Sequence, residues 1–459
     1  MDWLLELNSQ VNGLVWGPPM LILLVGAGVF LTVRTRFVQF ARFGRMCRET
    51  LGKAFARGPK AEGDVTPFQA MTVAMGGTVG VGNIVGVATA IAVGGPGAVF
   101  WMLVSGLVGM ATKFAEVVLG LHYRRREPDG PMIGGPMMYI TRGLGPSWKW
   151  LAILFSIFGA LAAFGIGNMT QAQAVADGMD HFGVPHWATG LVLIVAVGLV
   201  TIGGIKRIAH VAMFCVPFMC GIYMLAALAV IVLHIGAVPS VVGLVVRCAF
   251  TPTAAVGGFA GAAVLMAIRK GIARGVFSNE AGLGSAPMAH ATAQTDHPAR
   301  QGLWGIFEVF FDTIVMCSAT AFVILLSGLW SSGENGAKLT MSAFGHTFGT
   351  NLGGWLVVLC MILTAYDTVL AWCFYGETCS AFIFGHGKVV RTVYRVLWLP
   401  FIMLGACGQL KAIWNIADTL NGLMAIPNLI ALLALSGVVV KLTRGFFAGE
   451  AYEPPPAAA

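Results

Sequence analysis

Two short stretches of this chain concentrate polar chemistry inside otherwise apolar sequence. The first reads Met75-Gly76-Gly77-Thr78-Val79-Gly80-Val81-Gly82-Asn83-Ile84-Val85-Gly86, and the second Gly275-Val276-Phe277-Ser278-Asn279-Glu280-Ala281-Gly282-Leu283-Gly284-Ser285. Each glycine inside a helix costs about 1 kcal/mol relative to alanine. Backbone that leaves the helix within lipid strands amides and carbonyls at several kcal/mol each. Such stretches become tolerable where the freed groups bind something. Half-helix N-termini offer amides and a positive dipole end to an anionic group. Half-helix C-termini and unwound carbonyls offer oxygen ligands to a small hard cation. The first stretch has no Lys or Arg, which suits the carboxylate of a zwitterion better than a dianion. Two simpler readings compete. Gly76/Gly80 and Gly82/Gly86 have the spacing of close helix packing, and Arg269, Lys270 and Arg274 before the second stretch would suit a loop in water.

The elements that must position these stretches are membrane helices. Of 459 residues, 57% are hydrophobic and only 10% charged, against about 25% charged in soluble domains. Apolar runs of spanning length predict an all-α integral membrane protein with about eleven spans: 14–33, 67–93, 97–122, 150–176, 187–204, 207–235, 257–290 (interrupted), 301–330, 354–384, 392–407 and 412–441. Pro427 is expected to kink or divide the last of them. All but seven of the 28 Lys and Arg fall in loops on one side or at the helix ends flanking them. The opposite side holds Arg247, Lys338 and Lys411; Lys113, Arg269, Lys270 and Arg274 lie within spans. The positive-inside rule therefore puts the N-terminus outside and the C-terminus in the cytoplasm, in the cytoplasmic (inner) membrane of a cell.

The same distribution explains the net charge of +8 without a nucleic-acid partner. Asp2 and Glu6 with no nearby base argue against a cleaved signal segment. The basic loop 34–66 reads as an amphipathic stretch at the lipid surface, and the tail Glu453-Pro454-Pro455-Pro456 as disordered. The nine cysteines, among them Cys215, Cys220, Cys317, Cys360 and Cys373, show no zinc or disulfide pattern and suit packing. No Walker A, HExxH or GxSxG pattern is present, so neither a built-in ATPase nor an intramembrane enzyme is expected.

Asn83 and Asn279 stand 196 residues apart, each opening a set of five spans, so the second set is inverted relative to the first. Paired interrupted helices in corresponding positions of inverted halves point to a secondary-transporter site. The expected organisation is a single transmembrane domain: an extra helix at 14–33, a first repeat at 67–235, a second at 257–441 and a tail at 442–459.

At these residues the chain resembles the alanine or glycine:cation symporter family, also called the sodium:alanine symporter family. The likeness rests on Gly94-Gly95-Pro96-Gly97-Ala98-Val99-Phe100-Trp101-Met102-Leu103, continuing through Gly109-Met110 to Lys113-Phe114-Ala115-Glu116. It extends to Gly76–Asn83, Gly134-Gly135-Pro136-Met137 and Phe277-Ser278-Asn279-Glu280-Ala281-Gly282, with Leu103 where the family signature has tryptophan. The resemblance implies a LeuT-type five-plus-five inverted repeat and uptake of alanine, glycine or a near relative coupled to Na⁺, with no organic cofactor and no obligatory protein partner. It implies that Gly80, Val81, Gly82 and Asn83 receive the substrate carboxylate. Either Gln171 or Gln173 would face the substrate, with Phe277 packed over it and Ser278 and Asn279 nearby. Thr368 and Trp372 share a helix face, and Trp372 would limit pocket volume. Sodium would take the carbonyls of Gly76 and Val79 and the hydroxyls of Thr364 and Thr368; a second cation would use Thr78 and Asn83. The two threonines could equally bond back to their own helix.

Ionisable residues inside spans are functional candidates. Asp418 with Arg269 or Arg274 is expected to form an external gate. Glu308 and Asp312 lie four apart on one helix face. Glu377, and Lys113 with Glu116, sit near inner span ends, where snorkelling would account for them. The alternative within transport is a proton-coupled amino-acid symporter of the same fold, with Asp367 or Glu280 titrating.

Overall fold

A computed structural model describes residues 2–54, 61–127, 130–251, 260–385, 387–408 and 411–455. Among these the regular structure is helical apart from one short hairpin, Arg125–Arg126 against Met132–Ile133, and a single parallel bridge between Val65 and Ala293. Eight helices are long and apolar enough to cross a membrane, and a bent pair, Pro67–Thr78 with Gly82–Gly94, would make a ninth. Two of the eleven expected spans fall short of that measure. One is His186–Thr201, at 16 residues; the other is the interrupted span, which carries Arg269, Lys270 and Arg274. The start of that span, 257–259, lies outside the described residues.

The first break is built by local sequence. Thr66 starts the helix with a reciprocal cap: its hydroxyl accepts from the Gln69 amide, and the Gln69 side chain accepts from the Thr66 amide. Pro67 follows at the first position, where its missing N–H costs nothing. The helix ends at Thr78; Val79 leaves helical geometry at φ −76°, ψ 82°. After a tight turn it resumes as a π-helical segment, Gly82–Gly86, and continues as Val87–Gly94, bent by 46°.

The second break is shorter than the sequence suggested. Helix Ala260–Asn279 runs unbroken through Gly275, Phe277 and Ser278, and the interruption occupies 280–285 before Ala286–His290. Gly271 and Gly275 serve packing, not the break. A Cβ on Gly271 would strike Ala98 and Trp101, and one on Gly275 would strike Ser105 and Met102, all on helix Gly97–His122. The turn itself uses Glu280, Gly282 and Gly284, at φ +55°, +96° and +81°.

Other boundaries also shift. Pro427 lies inside a continuous helix, Lys411–Ala434, and the division falls at Leu435, before Ser436–Ala448. A proline is tolerated within a membrane helix where neighbours satisfy the freed carbonyl. Two helices expected as loop, Val238–Phe250 and Gly336–Phe348, lie between spans on the side away from the basic loops. On the basic side, Arg42 and Arg45 stack over Phe447 and Phe446, holding the stretch after the first span against the last helix. The tail is ordered as far as Tyr452, whose hydroxyl lies 3.2 Å from His122 Nδ1. Pro456 lies outside the described residues.

Candidate functional site

Around the first break, glycines open the space and polar groups from other helices occupy it. A Cβ on Gly76 would lie 3.1 Å from Asp367 Cβ, and one on Gly77 would lie 3.1 Å from the Tyr375 hydroxyl. On Gly80 it would lie 2.8 Å from Thr368 Oγ1 and 3.5 Å from Gln171 Oε1. On Gly82 it would meet the Phe277 ring at 3.4 Å. The break thus faces helix Thr350–Phe384, the helix carrying Gln171 and the end of Ala260–Asn279.

Thr368 is the closest link between break and helix. Its hydroxyl is 2.8 Å from the Gly76 carbonyl and 3.0 Å from the Thr364 carbonyl. The Thr364 hydroxyl donates to its own helix, at Met361, 3.1 Å away. Beside them sequence reasoning undervalued Asp367, weighing it only as a proton carrier. It is buried and packed on Gly76, and neither carboxylate oxygen has a nitrogen or hydroxyl donor, the Cys215 thiol being the group beside it. A buried carboxylate without donors is costly unless a cation or proton joins it. Gln171 Oε1 is likewise buried and unpartnered, while its amide nitrogen donates to the Ile166 carbonyl at 3.0 Å. Of the two glutamines, Gln171 is the one beside Gly80; Gln173 is half-buried.

The amide of Gly80 is already used, donating to Thr78 O at 2.9 Å and Asn83 Oδ1 at 3.1 Å. Val81 and Gly82 are then the leading amides of the resumed helix, at the end where N–H groups lack partners within their own helix. The Thr78 hydroxyl donates to Met75 O at 3.1 Å. With the Asn83 oxygen committed to Gly80, the oxygens suggested for a second cation are both engaged inside their own segment.

The helix that leads into the second break meets the one that leaves the first through Asp312. Asn83 Nδ2 donates to Asp312 Oδ1 at 2.7 Å, and the Ser278 hydroxyl donates to Oδ2 at 2.9 Å. Thr313 adds a third donor at 2.8 Å. Asn279 turns the same way, donating to Thr313 Oγ1 at 3.1 Å and accepting from the Ala281 amide at 2.9 Å. Ser278 and Asn279 are thus held by Phe310–Cys317, the π-helical continuation of helix Pro298–Val309. Phe277 borders the first break with its ring and Ser278 with its backbone, both against Gly82. The signal for Asp312 was its position four residues after Glu308; its partners could not be read from spacing.

Charges expected to snorkel are buried instead. Lys113 Nζ lies 3.1 Å from Glu308 Oε1 with both side chains fully inaccessible, and His290 Nε2 lies 3.0 Å from Glu308 Oε2. Glu116 Oε1 accepts from the amides of Gly282 and Gly284, both at 3.0 Å, and from Asn428 at 2.6 Å. Glu377 accepts from Arg391 at 2.6 Å and from Arg395 at 2.5 and 2.8 Å. The correction has one cause: these positions face other helices, where a charge persists only if paired and hydrogen-bonded.

Asp418, Arg269 and Arg274 converge on one cavity of about 80 Å³, lined also by Asn12, Trp16, Lys270 and Phe277. The Arg274 guanidinium sits 5.2 Å from the centroid of the Phe277 ring. Trp372 packs on the helix carrying Gln171 and bonds the second break. A Cβ on Gly167 would strike its indole base, and its Nε1 donates to Glu280 Oε1 at 3.0 Å.

Comparison with known proteins agrees with this geometry. The model of the sodium:alanine symporter family matches residues 1–455. The chain is 45% identical over 453 residues to the sodium/alanine symporter AgcS of Methanococcus maripaludis, covering 97% of this chain and 98% of that one. It is 37% identical to a probable sodium/glutamine symporter, GlnT, of Bacillus subtilis, covering 95% and 89%. Among solved structures it is similar to MhsT, crystallised with L-phenylalanine, at a TM-score of 0.58 and 12% identity over 83% of this chain and 99% of that one. That likeness shows the fold, a LeuT-type arrangement.

Proposed function

Because the chain belongs to the sodium:alanine symporter family, a family of multi-pass membrane transporters and not of enzymes, we propose that it carries a small neutral amino acid, alanine or glycine foremost, inward with sodium by alternating access. The observation that carries this reading is the pairing of an unsatisfied acid with an unwound helix. Asp367 and the Thr368 hydroxyl both lie against Gly76, beside carbonyls freed by the break at Val79. In this reading sodium takes the Gly76 and Val79 carbonyls, the Thr364 and Thr368 hydroxyls and the Asp367 carboxylate. An all-oxygen set with one full charge suits a small hard monovalent ion.

The substrate carboxylate goes to the amides of Val81 and Gly82 at the start of the resumed helix, where the dipole favours it. Gln171 Oε1, buried without a donor, receives the substrate ammonium. Phe277 covers the pocket on one side and Trp372 on the other. The two five-helix halves at 67–235 and 257–441 move about this site, with the N-terminus outside and the C-terminus in the cytoplasm. The cavity at Asp418, Arg269 and Arg274 then lies on the outer side, where Arg274 stacked on Phe277 acts as the outer gate.

Proteoliposome uptake of labelled alanine tests the reading. With pH equal on both sides, an inward sodium gradient should drive concentrative uptake that potassium cannot support, and glycine should compete. Uptake driven by a proton gradient without sodium would favour proton coupling. Absence of alanine uptake under both gradients would remove the assignment.

A further inference from the structure

We propose that Glu280 sets the size limit of the substrate pocket by fixing the Trp372 indole. This positioning role rests on the reading of Trp372 as a pocket wall.

The backbone supplies the first argument. Within 280–285 three residues adopt left-handed φ; two are Gly282 and Gly284, and the third is Glu280. Glycine enters that region freely, whereas a residue with a Cβ is strained there. Among the described residues only Arg36 and Phe37 share this exception. A side chain kept where glycine would be easier is there for its contacts. Glu280 makes two: Oε2 accepts from the Ser285 hydroxyl, closing the turn on itself, and Oε1 accepts from Trp372 Nε1 at 3.0 Å, on another helix.

The indole supplies the second argument. Trp372 is 1% exposed, with Gly167 against its base and the Tyr375 ring edge-on at 5.6 Å. A buried indole N–H needs an acceptor, and the one it uses is Glu280. One helical turn from Trp372 on the same face is Thr368, and one turn from Gly167 is Gln171, the pair that flanks Gly80. The Trp372–Glu280 bond therefore fixes the floor directly beneath the polar groups assigned to the substrate. Without it the ring is held by packing alone, and space opens below the substrate side chain.

The experiment compares Glu280→Gln, which keeps an acceptor oxygen, Glu280→Ala, which does not, Trp372→Phe, which removes the donor, and the Glu280→Ala/Trp372→Phe double variant. Sodium-driven alanine uptake is measured against competitors of increasing side chain: 2-aminobutyrate, valine and leucine. Glu280→Ala should weaken discrimination against the larger competitors about tenfold, the lower range for a methylene excluded by a pocket. Trp372→Phe should do the same, the double variant no more than Trp372→Phe alone, and Glu280→Gln should restore discrimination. In protein carrying 5-fluorotryptophan, the fluorine resonance missing from Trp372→Phe should shift in Glu280→Ala.

Lost rate with unchanged discrimination, or an unmoved resonance, would reduce Glu280 to a staple of its own turn and overturn the proposal. Should Glu280→Ala fail to insert, Trp372→Phe decides, because it leaves the Glu280–Ser285 contact intact; unchanged discrimination there overturns the proposal. Wild-type protein without sodium-stimulated alanine uptake would sink the functional reading instead, and the fluorine resonance would then decide whether Glu280 holds the indole.

Discussion

The side-chain amide of Asn83 donates to the carboxylate of Asp312 at 2.7 Å, and Ser278 donates to the other oxygen of the same acid at 2.9 Å. One buried carboxylate thus joins the two broken helices. Replacing Asp312 by Ala removes the charged acceptor from both donors, leaving Asn83 the Asp312 carbonyl at 3.2 Å and Ser278 the Cys317 sulfur at 3.3 Å, at about 1.5–3 kcal/mol for each hydrogen bond to a charged group lost. Transport should be lost and the melting temperature in detergent should fall; Asp312→Asn, which keeps one acceptor oxygen, should lose less of both. Wild-type uptake by Asp312→Ala would show that the link is dispensable.

Thr368→Val and Asp367→Asn each remove one proposed sodium ligand. Each should raise the sodium concentration for half-maximal uptake about tenfold, equivalent to 1.4 kcal/mol, with a smaller change in alanine KM at saturating sodium. Sodium titration of uptake reads this directly. An unaltered sodium dependence in both variants would move the ion elsewhere.

Gly80→Ala separates stability from function. The φ of Gly80 is not left-handed, so alanine meets no backbone strain there, and insertion and folding should persist. The new methyl would lie 2.8 Å from Thr368 Oγ1, displacing that hydroxyl from the Gly76 carbonyl. Uptake should drop with protein yield unchanged; unimpaired uptake would mean that Gly80 serves packing alone.

Gln171→Ala should weaken apparent alanine affinity by about five- to tenfold, the loss of one hydrogen bond to a charged group. Gln173→Ala should change it less, since Gln171 is the residue beside Gly80. Competition curves with unlabelled alanine distinguish the two, and the reverse order would reassign the contact.

Arg391 bridges Glu127 at 2.7 Å and Glu377 at 2.6 Å with all three side chains buried. Removing one member of a buried pair costs about 3–5 kcal/mol, so Arg391→Ala should lower the melting temperature strongly. Arg391→Lys should recover little, because an ammonium cannot present the guanidinium fork to two separate acids. A melting curve superimposable on wild type would mean that the bridge contributes nothing to stability.

Much was legible in one dimension because the bilayer imposes a local rule: backbone groups in lipid must be satisfied within their own segment. Apolar runs of spanning length, basic loops and glycine-rich interruptions each obey that rule residue by residue. So nine of the eleven spans, the paired breaks near Asn83 and Asn279, and the family signature at Gly94–Leu103 could be read without coordinates. Side-chain partners could not. Gly275 read as part of a break and proved a packing glycine, because only a neighbour, Ser105, makes the absence of its Cβ necessary. Lys113 and Glu377 read as snorkelling and proved to be buried and paired, because depth in the sequence says nothing about which face meets another helix. Asp312 and Glu280 acquired their significance only from residues between 34 and 229 positions away that the fold brings within bonding distance, and Asp367 from Gly76, which the fold packs against it. Membrane insertion is decided by each segment alone, but the burial of a charge is decided by what packs against it, and that is a property of the assembled helices.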